Sequence, residues 1–218
     1  MRKLWTSLAI NLITVCGITN AYAAKPTDNG RIPALDNLSN EELIMSVPLG
    51  KQSELISTFQ GKEAIRLFRG EYKASSGCNV ETYRDREVII ITIPAANLFA
   101  PNDTDLAEGA SSFLLPLKRY LNKQRPDMYR VLLVMHTDNT GSTSYTDALS
   151  LERVESIYEF LDEKGVDTRY LFPTAAGATD PIRGNNTVEG RAANRRLEIY
   201  LIPGTGMLEE AKKGRIAL

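Results

Sequence analysis

Residues 131–142 read VLLVMHTDNTGS, an apolar run that passes directly into a polar loop. Five apolar side chains in succession, at positions 131–135, are typical of a strand that is buried on both faces of a sheet. Pro126 precedes the run, and Asn139 and Gly141 follow it, so turn-forming residues bound it on both sides. We therefore predict a central β-strand here.

A helix is predicted directly after this loop. Residues 144–147 (SYTD) have the chemistry of a capping box, in which a serine side chain satisfies free N–H groups of the first turn. Val154, Ile157 and Leu161 then recur at three- and four-residue steps and mark a buried face. Gly165 is placed to end the helix.

The neighbouring segments complete an α+β pattern. Two β-rich runs at residues 79–83 and 87–93 flank the turn at 84–86 and predict a hairpin. Residues 170–174 and 196–202 are further predicted strands, the second with alternating apolar side chains. A second helix is predicted from the spacing of Leu106, Ala110, Phe113, Leu117 and Leu121. With the hairpin counted as one β unit, the predicted order is β-α-β-α-β-β, a two-layer α+β domain with helices packed on a mixed sheet.

The first residues have the pattern of a secretory signal peptide. Arg2 and Lys3 precede the apolar residues 4–15, and small residues surround Ala23, after which we expect cleavage. The apolar stretch is much shorter than the roughly 20 residues of a membrane-spanning helix. An alternative stays open, because a lipid could be attached at Cys16, although bulky Val15 stands where lipoprotein signals usually carry a small residue. Both alternatives predict a location outside the cytoplasm.

Composition excludes several classes of function. The net charge of −1, without any run of Lys and Arg, does not suit a nucleic-acid-binding protein. Without residues 1–23 the charge becomes −3 and Cys78 is the one remaining cysteine, so an intrachain disulfide is not expected. His136 is the single histidine, and no sequence neighbours suggest a metal site or a nucleophile with a base. We expect no cofactor, no metal and no enzymatic activity, and we expect His136 to have a local hydrogen-bonding or packing role.

Five sequence blocks, in order, resemble the signature of OmpA-like peptidoglycan-binding domains. They are HTDNTGS (136–142), LSLER (149–153), GATDPI (177–182), NTVEGR (186–191) and NRRLEI (194–199). The resemblance spans about residues 80–202. Together with the signal-peptide pattern, it predicts a division into a signal peptide (1–23), an N-terminal linker or appendage (24–79), an OmpA-like domain (80–203) and a C-terminal tail (204–218). Within the appendage we predict one short helix that begins at Ser39, with Glu41 and Glu42 near its positive end.

The resemblance also implies a ligand, the meso-diaminopimelate of the peptidoglycan stem peptide, whose far end carries an ammonium and a carboxylate. Asp138 matches the residue that receives the ammonium, and Arg153 matches the residue whose planar guanidinium takes the carboxylate. Asn102 and Thr140 match lesser contacts. Supporting positions are Thr137, Asn139, Asn194 and Arg195. The expected function is non-covalent binding of peptidoglycan, which tethers the protein or lets it act as a scaffold at the bacterial cell envelope. We expect the protein in the periplasm, near the outer membrane, with residues 24–79 as the contact for an envelope protein partner.

Two alternatives to this function remain. Asp138 and Arg153 could form a salt bridge that fixes the loop to the helix, as an isolated Asp/Arg pair often does. The chain also departs from the family pattern at Met135, Ala100 and Thr146, where Gly, Asp and Asn are usual. The protein could therefore be an envelope scaffold that keeps the fold without binding the ligand.

Overall fold

The computed structural model describes residues 32–218. The predicted signal peptide, its cleavage site and Cys16 lie outside these residues. The strands are β1 (Asn79–Tyr83), β2 (Val88–Pro94), β3 (Tyr129–His136), β4 (Leu171–Gly177) and β5 (Arg196–Pro203). The α-helices of the described part are α1 (Pro33–Asp36), α2 (Asn40–Ile44), α3 (Ser53–Arg69), α4 (Ser111–Leu114), α5 (Thr143–Glu163), α6 (Val188–Asn194) and α7 (Thr205–Lys212).

The strands form one mixed sheet in the order β1-β2-β5-β3-β4. β3 and β4 are parallel and are joined by α5, whereas the other neighbouring strands are antiparallel. The predicted hairpin is confirmed as β1 and β2. The run at 131–135 is confirmed as an interior strand, because β3 is hydrogen-bonded to β5 on one side and β4 on the other.

The two faces of the sheet bury different clusters. Leu133 and Met135 of β3 point into the main core, together with side chains of α3, α5 and α7. Leu132 and Val134 point to the opposite face and pack with Leu43 of α2 in a smaller cluster. Alternation along the strand explains this division, since successive side chains project to opposite faces. The run is continuous in sequence because both faces are covered.

Helix α3, to which the sequence analysis assigned no secondary structure, is part of the main core. Leu67 is fully buried on α3 and belongs to the same cluster as Ile91 and Leu201 of the sheet. Gln60, also fully buried, donates a 2.9 Å hydrogen bond to the carbonyl of Glu87. Much of the segment before β1 therefore packs directly on the domain.

Three local predictions differ from the structure. The helix expected over 106–121 is a short α4 followed by a 3-10 turn (Leu115–Arg119), because Pro116 lacks the N–H that a longer α-helix needs. The cap of α5 lies two residues earlier than expected, since Ser142, and not Ser144, accepts the capping hydrogen bond from Tyr145 N. α6 lies between the last two strands and was not in the predicted order.

The predicted cap at Ser39 is confirmed, with a complete capping box to Glu42.

No helix within residues 32–218 combines the length and the apolar character needed to cross a membrane.

Candidate functional site

Asp138 lies in the loop that follows the carboxyl end of β3, and its side chain is buried. Its Oδ1 accepts a 2.8 Å hydrogen bond from the backbone N–H of Thr140. The backbone of Thr137 donates to Gly177 O at 2.8 Å, which fixes the start of the same loop against the end of β4. The chain turns sharply in this loop at Gly141, whose φ of 100° lies in the left-handed region that favours glycine.

Arg195 is the ion-pair partner of Asp138. Its Nη1 donates to Oδ2 of Asp138, while the Arg195 side chain remains 42% exposed. The register of the sheet brings Asp138 and Arg195 together, since His136 pairs with Arg196 in the antiparallel β3–β5 ladder. The residue before β5 is thereby brought beside the residues after β3. The sequence analysis ranked Arg195 only as a supporting residue.

The pKa of Asp138 is lowered in this environment. Burial alone raises the pKa of a carboxyl group, but the hydrogen bonds from Thr140 and Arg195 and the positive charge of Arg195 together outweigh it. Asp138 is therefore an ionised carboxylate at neutral pH.

Arg153 is held on α5 beneath the loop that follows β2. Its Nε donates to Asp103 O at 2.8 Å and its Nη2 donates to Ala100 O at 3.3 Å. The guanidinium carbon lies 4.9 Å from the centre of the Phe99 ring. Burial lowers the pKa of Arg153, and the charge of Arg195 lowers it further, so the two guanidinium groups are close enough to repel. The ion pair of Asp138 and Arg195 therefore has a second positive charge near it, that of Arg153.

The salt bridge considered between Asp138 and Arg153 is not present. Within residues 32–218, the ion pair of Asp138 is with Arg195, and the hydrogen bonds of Arg153 go to backbone carbonyls. Arg153 therefore fastens one loop, while the carboxylate of the next loop is held separately.

The other predicted positions have different environments. Asn102 is exposed, has a φ of 58° and accepts a 3.3 Å hydrogen bond from Tyr145 Oη, which places it between the loop and the start of α5. Asn139 is exposed. Thr137 is buried, and its Oγ1 has no hydrogen-bond partner among the described residues.

Asn194 has a structural role. It is fully buried, its side chain donates to Arg183 O and to Asn185 Oδ1, both at 2.8 Å, and it accepts from Arg183 N at 2.9 Å. These bonds tie the loop before α6 to the residue that precedes Arg195. Asn194 consequently supports the site through the backbone.

His136 packs beside Glu198 on the face of the sheet opposite the main core. Its Nε2 is 3.7 Å from Oε2 of Glu198, and neither ring nitrogen has a hydrogen-bond partner in the described part of the chain. Of the two local roles expected, hydrogen bonding or packing, the contacts of His136 therefore support packing. Burial raises the pKa of Glu198, but His136, the hydroxyl of Tyr200 and the guanidinium of Arg196 outweigh it and lower the pKa to about 2. No group of three or more His, Cys, Asp or Glu that could hold a metal occurs within residues 32–218.

Comparison with known proteins places this site in a family. Residues 98–195 match the model of the OmpA family. This segment contains β3, α5, β4 and α6, as well as Asp138, Arg153 and Arg195. Residues 98–195 are therefore an OmpA-family domain, as the sequence blocks predicted.

Individual relatives and structures agree with this assignment. The probable lipoprotein YiaD of Escherichia coli is 32% identical over 127 residues, which are 58% of this chain and 57% of that protein. The peptidoglycan-binding protein ArfA of Mycobacterium tuberculosis is 40% identical over 101 residues, 43% of this chain and 30% of that protein. A putative MotB-like protein from Desulfovibrio vulgaris superposes with a TM-score of 0.59 and 26% identity over 70% of this chain and 95% of that one. The chain matches less than two thirds of the length of either sequence relative.

Proposed function

We propose that the chain binds peptidoglycan non-covalently through the diaminopimelate of the stem peptide. This binding would make it a tether or a scaffold at the bacterial cell envelope. The OmpA-family assignment of residues 98–195 and the similarity to a protein named for peptidoglycan binding support this. The observation that carries the proposal is a buried, ionised Asp138 paired with Arg195, with a second guanidinium, that of Arg153, close enough to Arg195 to repel it. We place the protein in the periplasm, associated with the outer membrane.

In the proposed complex, Asp138 receives the ammonium group of the ligand. A carboxylate has about four acceptor positions, and Thr140 and Arg195 use two of them. The remaining capacity suits a further charged donor. Because Asp138 is buried, the attraction between its carboxylate and a bound ammonium would be screened less than in water.

The ligand carboxylate is assigned to Arg153. Of the five N–H donors of a guanidinium, the carbonyls of Asp103 and Ala100 take two. A planar edge of this kind can hold a carboxylate by two parallel hydrogen bonds. The two backbone bonds fix the orientation of that edge before a ligand arrives, which reduces the entropy cost of binding.

We assign binding and not catalysis to this site. The charged groups assigned to the ligand are the Asp138 carboxylate and the Arg153 guanidinium, which recognise opposite charges, and His136 lies beside Glu198 on the face of the sheet opposite the main core. An arrangement of this kind suits the recognition of a zwitterion and offers no activated nucleophile.

The test is co-sedimentation with purified diaminopimelate-type sacculi. Asp138→Asn keeps the shape of the side chain and removes its charge, and Arg153→Lys keeps the charge and removes the planar fork. Asp138→Asn is expected to weaken binding at least about tenfold, because loss of one partner of a buried charge pair costs on the order of 2–5 kcal/mol. Arg153→Lys is expected to weaken binding at least about tenfold as well, because an ammonium group cannot reproduce the two parallel hydrogen bonds of a guanidinium. Glu152→Gln is the matched control, since Glu152 is an exposed neighbour on the same helix.

The melting temperature of each variant is measured alongside. If folded Asp138→Asn and Arg153→Lys variants sediment as the wild type does, the site assignment is wrong. If the wild type itself stays in solution, the protein is the scaffold that keeps the fold without the ligand.

A further inference from the structure

A groove runs between α3 and the edge strand β1, away from the loops that hold Asp138. Its volume is about 670 Å³. One side consists of α3 residues at helical spacing, and the other of β1 and the turn that follows it. Its lining includes Lys62, Ile65, Phe68, Arg69, Val80 and Arg86.

One wall of the groove is an unpaired strand edge. β1 is the first strand of the sheet, and β2 is its one hydrogen-bonded strand partner in the described part of the chain. The outer N–H and C=O groups of such a strand remain available to another extended chain. Many proteins cover or charge this kind of edge, whereas the groove leaves β1 accessible beside α3.

The other wall exposes large apolar side chains. Ile65 is 54% exposed and Phe68 is 42% exposed, one helical turn apart on α3. Val80 lies across the groove and packs partly against the main core. An apolar surface that adjoins a strand edge has the two features that bind an extended peptide, namely main-chain hydrogen bonds and pockets for alternate side chains.

The charges of the groove select the sign of its occupant. Lys62, Arg69 and Arg86 line it and form no ion pair with any residue of 32–218, while Glu81 is its one lining carboxylate. The groove is thus positive in a chain whose net charge is negative. A second copy of the same groove would bring these cations together, so charge disfavours a homodimer here and favours an acidic partner.

We propose that the groove binds an extended, acidic and apolar segment of another envelope protein, which pairs with β1 as a sixth strand. Apolar side chains of the segment contact Ile65 and Phe68, and its carboxylates pair with Lys62, Arg69 and Arg86. Strand pairing provides the main-chain hydrogen bonds, and the cations select against basic segments. This binding is independent of the proposed peptidoglycan site.

The probe is a fluorescein-labelled, blocked peptide of about nine residues, long enough for one strand, in which valine alternates with glutamate. Titration with the intact chain is expected to give saturable binding, followed by fluorescence anisotropy. Backbone amide signals of Asn79–Tyr83 should shift and become protected from hydrogen exchange. The double variant Ile65→Ser/Phe68→Ser should weaken binding at least about tenfold, as should a peptide with lysine in place of glutamate.

Leu115→Ser is the matched control, because Leu115 is similarly exposed but lies outside the groove. It is expected to bind the peptide as the wild type does. The proposal is overturned if the peptide does not bind, if the Ile65/Phe68 variant binds it equally well, or if sedimentation velocity shows a dimer that this variant abolishes. Sacculus binding by the Ile65/Phe68 variant should equal that of the wild type, which separates failure of this proposal from failure of the peptidoglycan assignment.

Discussion

Replacing Leu67 by alanine tests whether helix α3 belongs to the core of the domain. Leu67 is 0% exposed and lies in one cluster with the side chains of β2, β3 and β5. Removal of buried methyl and methylene groups costs about 0.8 kcal/mol each in transfer free energy, and the cavity left behind adds to this. We expect a loss of about 2–5 kcal/mol in the free energy of unfolding.

The measurement is urea denaturation followed by far-UV circular dichroism. For a chain of this size, each kcal/mol lowers the melting temperature by about 2–4 °C, so thermal unfolding should show a shift on the order of 5–20 °C. Leu55→Ala is the control, since it makes the same chemical change on the same helix at a position that is 38% exposed. It should cost less than about 1 kcal/mol.

The comparison has a clear contrary result. If Leu67→Ala and Leu55→Ala have equal effects, α3 does not contribute its buried face to the stability of the domain. A separate early transition, in which the helix signal of α3 is lost while the sheet persists, would lead to the same conclusion. In either case the segment before β1 would be an appendage, as the sequence alone suggested.

Two further predictions concern acid stability and capping. Because the pKa of Glu198 is lowered from 4.5 to about 2 in the folded protein, its charge stabilises the fold above pH 4.5, and this contribution, about 3 kcal/mol, is lost as pH falls from 4.5 to 2. Wild-type stability, measured by urea denaturation, should therefore fall more steeply over that window than that of Glu198→Gln; parallel slopes would contradict this. Ser142→Ala should cost about 0.5–2 kcal/mol by removing the cap of α5, whereas Ser144→Ala should be nearly neutral, and the reverse order in the same assay would place the cap at Ser144.

The sequence predicted the sheet well because its strands carry strong local signals. The run at 131–135 has apolar side chains on both faces of the strand, and apolar and polar side chains alternate in the strand at 196–202. The hairpin has a polar turn at 84–86. These features follow from which side chains of each strand are buried, and the order of apolar and polar residues within the strand shows this directly. Helix α5 was predictable for the same reason, since its buried positions repeat over many turns.

Helix α3 was harder to predict because much of its buried surface is polar. Ser57, Gln60 and Glu63 are buried beside Leu67, and they satisfy their polar groups through specific partners. A search for apolar periodicity misses such a face, and the exposed Ile65 and Phe68 weaken the pattern further. The structure also shortens α4, where the apolar spacing was correct but Pro116 prevents a regular helix.

The sequence predicted which residues belong to the candidate site, but not which of them form an ion pair. Asp138 and Arg153 stand in recognisable blocks, yet the partner of Asp138 depends on the register of two antiparallel strands that are about 60 residues apart in sequence. Motif order contains no information on that register. Arg195 is therefore the residue whose importance only the tertiary structure reveals.

The different environments of the two arginines sharpen the test of the proposed site. Arg153 is buried and holds Asp103 and Ala100, so Arg153→Lys removes loop contacts as well as the planar fork. Arg195 is 42% exposed, so it can move from Asp138 towards water when a ligand ammonium approaches, at the small cost of a solvent-exposed ion pair. Asp138→Asn should consequently weaken sacculus binding with little change in melting temperature, whereas Arg153→Lys should lower both. If Arg153→Lys lowers only the melting temperature and the folded variant binds sacculi normally, Arg153 is a structural residue and the ligand carboxylate is not bound there.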